Sequence, residues 1–161
     1  MARPNSEIRS TPSVLDRLID DDPRASTEAP KSRSSNLIEL KNAVRRDLEW
    51  LLNTRCHLDE GDGLLEEAPR SVAFYGLPDF TGVSARNSVE IKDLITSVEK
   101  AIRIFEPRFL DLKVTMEPVD ELDRQLRFRI EARLDVEPAP EPIAFDSVLQ
   151  VGSGGFAVTE K

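Results

Sequence analysis

The fold is decided by residues 126–136, whose sequence is LRFRIEARLDV. Apolar and charged side chains alternate along this stretch, and successive side chains of a β-strand point to opposite faces of its sheet. The pattern predicts a half-buried strand with one apolar and one charged face. The apolar face would carry Leu126, Phe128, Ile130, Ala132, Leu134 and Val136. The charged face would carry Arg127, Arg129, Glu131, Arg133 and Asp135, whose carboxylates lie among the arginines and can pair with them.

Further strands are predicted on both sides of this one. Residues 110–116 alternate in the same way, with Leu110, Leu112, Val114 and Met116 on one face. A Pro-rich hinge at residues 137–142 precedes an apolar stretch at residues 143–151, whose alternation changes phase near Ser147 and so suggests a β-bulge. A Gly-Ser spacer at residues 152–155 then leads to a last short strand at residues 156–159.

Two amphipathic helices are predicted before the strands. The first ends near Asn53, has Ser35 or Asn36 as its N-cap, and repeats apolar residues at helical spacing. The second has Ser88 as its cap and ends before Pro107, because a residue that precedes proline is driven out of the helical region. The two apolar stripes are Leu37, Leu40, Val44, Leu48 and Leu51, and Ile91, Leu94, Ile95, Val98, Ile102 and Phe105.

This order of elements predicts an α+β fold, in which an antiparallel sheet of three or four strands is covered on one face by the two helices. Residues 36–161 are expected to form this single domain. A long loop-rich stretch at residues 57–86, with turns at residues 61–63 and 76–79, separates the two helices. Loops of this length in compact domains are either functional or packed as an unusual shell.

Residues 1–35 are expected to form a flexible N-terminal arm that contains one short helix at residues 13–19. Thr11 or Ser13 could cap this helix, and the acidic residues 20–22 with Pro23 would end it. Its apolar stripe is Val14, Leu15, Leu18 and Ile19. An isolated helix of two turns is unstable in water, so it must dock either on its own domain or on a partner.

Composition excludes several classes of function. The net charge of −8 argues against general nucleic-acid binding, which needs a positive field. No apolar run approaches the roughly 20 residues of a membrane-spanning helix, and the first ten residues lack the apolar region of a secretory signal. One Cys and one His, Cys56 and His57, exclude a disulfide framework and a Cys/His zinc site within one chain. We therefore expect a soluble, intracellular protein without a metal or cofactor.

Catalytic signatures are sparse. There is no phosphate-binding glycine loop and no nucleophile elbow, and Cys56 and His57 are sequence neighbours, which rarely act as nucleophile and base. Glu106 and Asp79 could be nominated as a glycosidase pair, but aromatic residues make up only 6% of the chain, with a single Trp50 and a single Tyr75 to form a sugar platform. We therefore expect no enzymatic activity.

One charged motif stands out, Glu106-Pro107-Arg108, which we call the charged corner. It joins the second helix to the first strand, and the fixed φ angle of proline holds its two charges in a defined geometry. Two interpretations stay open: a local ion pair that fastens the helix to the strand, or a surface that engages a partner.

Four motifs in order resemble a known family. They are Val14-Leu15-Asp16-Arg17-Leu18, Leu51-Leu52-Asn53-Thr54-Arg55, Tyr75-Gly76-Leu77-Pro78-Asp79 and the charged corner. The chain resembles the TssE family of type VI secretion baseplate subunits, within the lysozyme-related baseplate wedge family of contractile phage tails. Phe109 departs from the Leu that is common at that position, which changes volume and not chemistry.

The resemblance implies a non-enzymatic structural role. It implies that Glu106, Pro107 and Arg108 contact the wedge subunits TssF and TssG, and that the sheet accepts arms of the TssB/TssC sheath by strand addition. Other baseplate subunits such as TssK are further expected partners, whereas nucleic acid and direct membrane insertion are not expected. The location implied is a cytoplasmic baseplate docked at the inner membrane complex.

Two other functions remain as alternatives. The first is a wedge protein of a phage tail or of another contractile injection particle, because these share the same fold. The second is a peptidoglycan hydrolase, which the lysozyme-related name invites but to which no catalytic residue transfers.

Overall fold

The computed structural model describes residues 13–19, 24, 33–56, 67–80, 87–117, 125–150 and 155–160. The helices are α1 (Val14–Leu18), α2 (Arg33–Asn53) and α3 (Ser88–Phe105), and the loop between α2 and α3 contains short 3₁₀ helices at Ala68–Arg70 and Val72–Phe74. The strands are β1 (Phe109–Met116), β2 (Gln125–Leu134), β3 (Glu141–Gln150) and β4 (Phe156–Glu160). The predicted α+β class is confirmed.

The four strands form one antiparallel sheet in the order β1-β2-β3-β4. Helix α2 packs against β4 and α3 packs against β1, so both helices cover the same apolar face of the sheet, as predicted. The buried core includes the sheet residues Phe128 and Phe145 and the helix residues Leu48 and Leu94. None of the helices in the described ranges is long and apolar enough to cross a membrane.

The bulge predicted near Ser147 is wrong. The register of β3 runs without a shift past Ser147 toward both β2 and β4. Ser147 is 1% exposed on the core face and Val148 points the other way, so a buried serine interrupts the apolar alternation without inserting a residue.

A bulge does occur in β1. The register against β2 shifts between Leu110 and Lys113, where Asp111 adopts a positive φ of 51°. This extra residue turns Phe109, and not Leu110 as predicted, onto the core, where its ring lies 6.2 Å from that of Phe145.

The charged face of the sheet is internally paired. Arg129 pairs with Asp146 at 3.1 Å and with Glu117 at 2.6 Å, and Arg133 pairs with Asp111 in the bulge. Hydrogen bonding from Asp146 and the charges of Asp146 and Glu117 raise the pKa of Arg129 above its ordinary value. The arginine row therefore behaves as a paired, solvated face.

Two helix starts differ from prediction. The N-cap of α3 is Asn87 and not Ser88, since the Asn87 side chain accepts the N–H of Val89 at 3.1 Å and of Glu90 at 3.5 Å. Helix α2 begins at Arg33, ahead of the expected caps Ser35 and Asn36, because no proline or glycine in residues 33–36 stops an added turn.

The other termini agree with the sequence or fall outside the described ranges. Ser13 caps α1, and α3 ends at Phe105 before Pro107. The Pro-rich hinge is shorter than expected, because Glu141 and Pro142 already belong to β3. The predictions for His57, for the stop at residues 20–23, for the turn at residues 61–63 and for most of the spacer at residues 152–155 lie outside the described residues.

Candidate functional site

The charged corner is a tight, hydrogen-bonded turn between α3 and β1. Glu106 is the C-cap of α3 and donates its N–H to the carbonyl of Ile102 at 2.8 Å. Its own carbonyl accepts the N–H of Phe109 at 3.2 Å, and the carbonyl of Arg108 accepts the N–H of Asp135 at 2.9 Å. The backbone thus fixes the corner between the end of α3 and the end of β2.

Within the corner the two charges bind each other. Arg108 donates from Nε to Glu106 Oε1 at 2.6 Å and from Nη2 to Oε2 at 2.5 Å, a bidentate arrangement. Glu106 is only 4% exposed, so its carboxylate faces this partner and not solvent. The local ion pair is therefore the contact that the isolated chain makes, whereas engagement of a partner remains a prediction.

The pair extends into a network of five charged side chains, which we call the corner network: Asp16, Arg46, Asp47, Glu106 and Arg108. Asp47 on α2 accepts from Arg108 Nη2 at 2.9 Å and from Arg46 Nη2 at 2.8 Å. Asp16 on α1 accepts from Arg46 Nη2 at 2.7 Å and lies 3.8 Å from Arg108 Nη1. The network joins α1, α2 and the corner.

The pKa values of this network follow from burial opposed by pairing. Burial lowers the pKa of Arg108, but hydrogen bonds and charges from Glu106 and Asp47 raise it more, so the net shift is upward. Burial likewise raises the pKa of Asp16, yet hydrogen bonds from Arg46 and Ser13 bring it below its ordinary value. Both groups stay charged at neutral pH.

A cavity of about 690 Å³ opens beside the network. Its walls combine α1 residues Val14 and Leu15, the exposed ring of Trp50, the aromatic rings of Tyr75 and Phe105, and the corner. The guanidinium of Arg46 lies 5.1 Å from the Trp50 ring centroid, a cation–π contact. We call this space, bounded by α1, α2 and the corner, the α1 cleft.

The Tyr75–Asp79 motif meets the end of α2. Leu77 donates its N–H to the carbonyl of Thr54 at 2.9 Å, and its carbonyl accepts the N–H of Cys56 at 2.8 Å. Gly76 has a φ of +118°, and a Cβ there would lie 2.5 Å from the Thr54 carbonyl oxygen. The Tyr75 ring meets Phe105 edge-on at 5.2 Å. The motifs at residues 51–55 and 75–79 thus meet in one joint, which lies next to the charged corner.

A second candidate surface is the outer edge of β4. The Asn53 side chain donates to the carbonyl of Phe156 and accepts its N–H, both at 2.9 Å. Alternate residues of an antiparallel edge strand point their backbone groups outward. Val158 and Glu160 share the phase of Phe156, and no hydrogen-bond partner for the outward groups of Val158 lies within the described residues. The outward backbone groups of this part of the edge are therefore unpaired among the described residues, although Val158 is only 3% exposed and Glu160 is the exposed residue of the two.

Comparison with known protein families shows which family this chain belongs to. A family model described as "Baseplate wedge protein gp25" matches residues 38–139, which is more than half of the chain. The chain belongs to the gp25 baseplate wedge family. Members of this family, which includes TssE, are structural components of contractile injection systems and are generally non-enzymatic. Searches of curated proteins and of solved structures found no match.

The gp25 match includes the charged corner and the joint at Gly76, whereas α1 and β4 lie outside it. Of the glycosidase pair considered from the sequence, Glu106 is held by Arg108 and nearly covered, while Asp79 lies on an exposed loop. Among the described residues no cluster of three metal-ligating side chains occurs.

Three members of the corner network of this gp25 family member were not predicted from its sequence: Asp16, Arg46 and Asp47. A signal existed for Asp47, which lies three residues after Val44 and four before Leu51, on the apolar stripe of α2. A carboxylate on a buried stripe needs a cationic partner. The sequence did not identify which of the 22 basic residues that partner is.

Proposed function

We propose that this chain is a TssE subunit of a type VI secretion baseplate, which joins the wedge subunits TssF and TssG to the first ring of the TssB/TssC sheath. In this proposal residues 36–161 form the wedge domain and residues 1–35 its N-terminal arm. The assembly is cytoplasmic, includes TssK, and docks at the inner membrane complex. The gp25 family match supports the baseplate role, and the ordered motifs at residues 51–55, 75–79 and 106–108 resemble those of the TssE family.

The observation that carries the proposal is the edge of β4, which is unpaired among the described residues, exposed at Glu160 and covered at Val158. An unprotected strand edge is an aggregation hazard in a monomer, and it is a binding surface in a protein that starts a polymer of strand-sharing subunits. Asn53 already binds the Phe156 end of this edge as a neighbouring strand would. An incoming strand would pair with the exposed Glu160 and, once the cover over Val158 moves, with Val158 as well.

The charged corner is the proposed contact for TssF and TssG. Pro107 is exposed beside the buried Glu106, and Arg108 keeps one nitrogen, Nη1, buried without a hydrogen-bond partner in the described chain. A buried donor of this kind favours a partner that supplies an acceptor.

The experiment is capture of TssF, TssG and sheath subunits by the tagged full chain. Wild type is compared with Glu106→Ala/Arg108→Ala and with a charge-matched control, Arg129→Ala/Asp146→Ala, which removes a surface pair on the opposite face of the sheet. Wild type and control should capture TssF and TssG, and the corner variant should lose them while circular dichroism shows it folded.

A parallel capture experiment uses the wedge subunits of a contractile phage tail in place of TssF and TssG. Capture of the phage subunits alone would assign the chain to a phage tail or another injection particle. Capture of TssF and TssG by both variants would move their contact away from the corner.

A further inference from the structure

The two charges proposed to contact the wedge partner are covered in the isolated chain. Glu106 is 4% exposed, and the side chain of Arg108 is 12% exposed. On the cleft side the nearest separable element is α1, whose Asp16 lies 3.8 Å from Arg108 and whose Val14 and Leu15 line the α1 cleft. A partner carboxylate that pairs with Arg108 through this cleft therefore competes with Asp16 of α1.

Helix α1 is a weakly held wall of the α1 cleft. It has five residues, too few for a stable isolated helix. Val14 is 72% exposed and Leu18 is 76% exposed, so only Leu15 of its helical apolar residues faces the body. Its polar anchor is Asp16, which also completes a capping box with Ser13. Removing Asp16 would therefore weaken both the helix and its attachment.

The fit of α1 to the corner is also incomplete. Arg108 Nη1 is buried and has no hydrogen-bond partner among the described residues. Asp16 Oδ2 lies 3.8 Å from it, which is beyond hydrogen-bond range. An occupant with its carboxylate closer to Nη1 would satisfy this donor, and it would keep the contact with Arg46 that Asp16 now makes.

We infer that α1 is a displaceable wall of the α1 cleft, and that a short amphipathic helix of the wedge partner takes its place. The incoming helix would present one carboxylate to Arg46 and Arg108, with an apolar side chain beside Trp50 and Tyr75. This inference rests on the proposed function, because it concerns the same partner at the same corner.

Replacement of α1 predicts the direction in which the affinity for the partner changes when α1 is weakened. When a site is open only part of the time, the apparent dissociation constant is the intrinsic constant divided by the open fraction. Weakening α1 raises that fraction and tightens partner binding. If α1 were instead part of the interface, the same changes would weaken binding.

The test measures the affinity of full-length variants for a TssF–TssG complex by titration calorimetry. Asp16→Ala removes the contact with the arginines, and Ser13→Ala removes the cap while the carboxylate is kept. Both are expected to bind about three- to tenfold more tightly than wild type. Asp93→Ala, which removes an exposed carboxylate of α3, should bind like wild type, and Arg108→Ala should lose binding.

The outcomes separate the two proposals. Wild-type binding with unchanged or weaker binding by Asp16→Ala and Ser13→Ala overturns replacement of α1 and leaves the proposed function standing. Absence of binding by every variant defeats the proposed function and this inference with it. In the bound complex, sharp amide NMR signals from residues 14–18 would support release of α1, and signals as broad as those of α2 would contradict it.

Discussion

At the scale of single residues, Gly76 and the corner network show that residues of the family motifs stabilise the fold of the chain itself. Gly76 lies where the loop crosses the end of α2, so close to Thr54 that no side chain fits. Arg108 is already hydrogen-bonded to Glu106 and Asp47 within the chain. Residues that resemble a binding motif therefore also fix the local structure, and their variants need a folding control.

Replacing Gly76 by Ala should lower the free energy of unfolding by about 2–4 kcal/mol, because the new Cβ meets the Thr54 carbonyl and the positive φ is strained for alanine. Urea denaturation followed by circular dichroism measures this change. Val72→Ala, at an 89% exposed position of the same loop, should cost less than about 0.5 kcal/mol. Equal stability of the Gly76 and Val72 variants would contradict the tight crossing.

At the scale of elements, two attachments decide which surfaces are available. The Asn53 side chain at the end of α2 holds the first residue of β4, and Lys41 pairs with Glu160 at its other end at 2.9 Å. Helix α1 is attached through Asp16 to arginines of α2 and the corner. The first attachment positions an edge strand, and the second covers a charged turn.

Replacing Asn53 by Ala should lower the free energy of unfolding by about 1–3 kcal/mol, because both outward backbone groups of Phe156 lose their partner. Amide hydrogen exchange at Phe156 should speed up more than exchange in β2. Asn42→Ala, at an exposed site on the same helix, is the matched control and should leave both quantities unchanged. Unaltered exchange at Phe156 would show that Asn53 does not hold β4.

Acidification should detach α1. The pKa of Asp16 lies below its ordinary value of 3.8 in the folded chain, so its contribution is fully present above pH 3.8 and is lost as the pH falls below that value. Chemical shifts of residues 14–18 should move toward unfolded values in that range, ahead of the core. Asp16→Asn should show no such pH-dependent step. Shifts that stay constant until global unfolding would contradict the attachment through Asp16.

At the scale of the whole molecule, the sequence predicted the helices and strands, because each is buried on one face only. It did not predict the ion pairs between residues that lie far apart in the chain. The alternation at residues 126–136 identified β2, because only one face of that strand is buried. The bulge was misplaced, because a buried Ser147 mimics a change of phase while a torsion at Asp111 leaves the apolar pattern of β1 intact. The corner network joins residues up to 92 positions apart by charge alone, and an alternation pattern carries no information on such pairs.

The same limits apply to the candidate site. Glu106, Pro107 and Arg108 were recognisable as a motif, whereas the burial of Glu106 and the contact of Arg108 with α1 depend on packing of three separate elements. The partner edge of the sheet was expected in general terms. Its location at Val158 and Glu160 required the register of β4 and the contact of Asn53.

The proposed function requires that the edge of β4 receives a strand of the sheath. Binding of TssB/TssC to the full chain is compared for wild type, Glu160→Pro and Glu160→Ala. Both variants lose the ion pair with Lys41, but only proline removes the outward N–H that an added strand would use. If a strand is added at this edge, the Ala variant binds like wild type and the Pro variant binds at least about tenfold more weakly, with unchanged circular dichroism. Equal binding by the two variants would contradict strand addition at this edge.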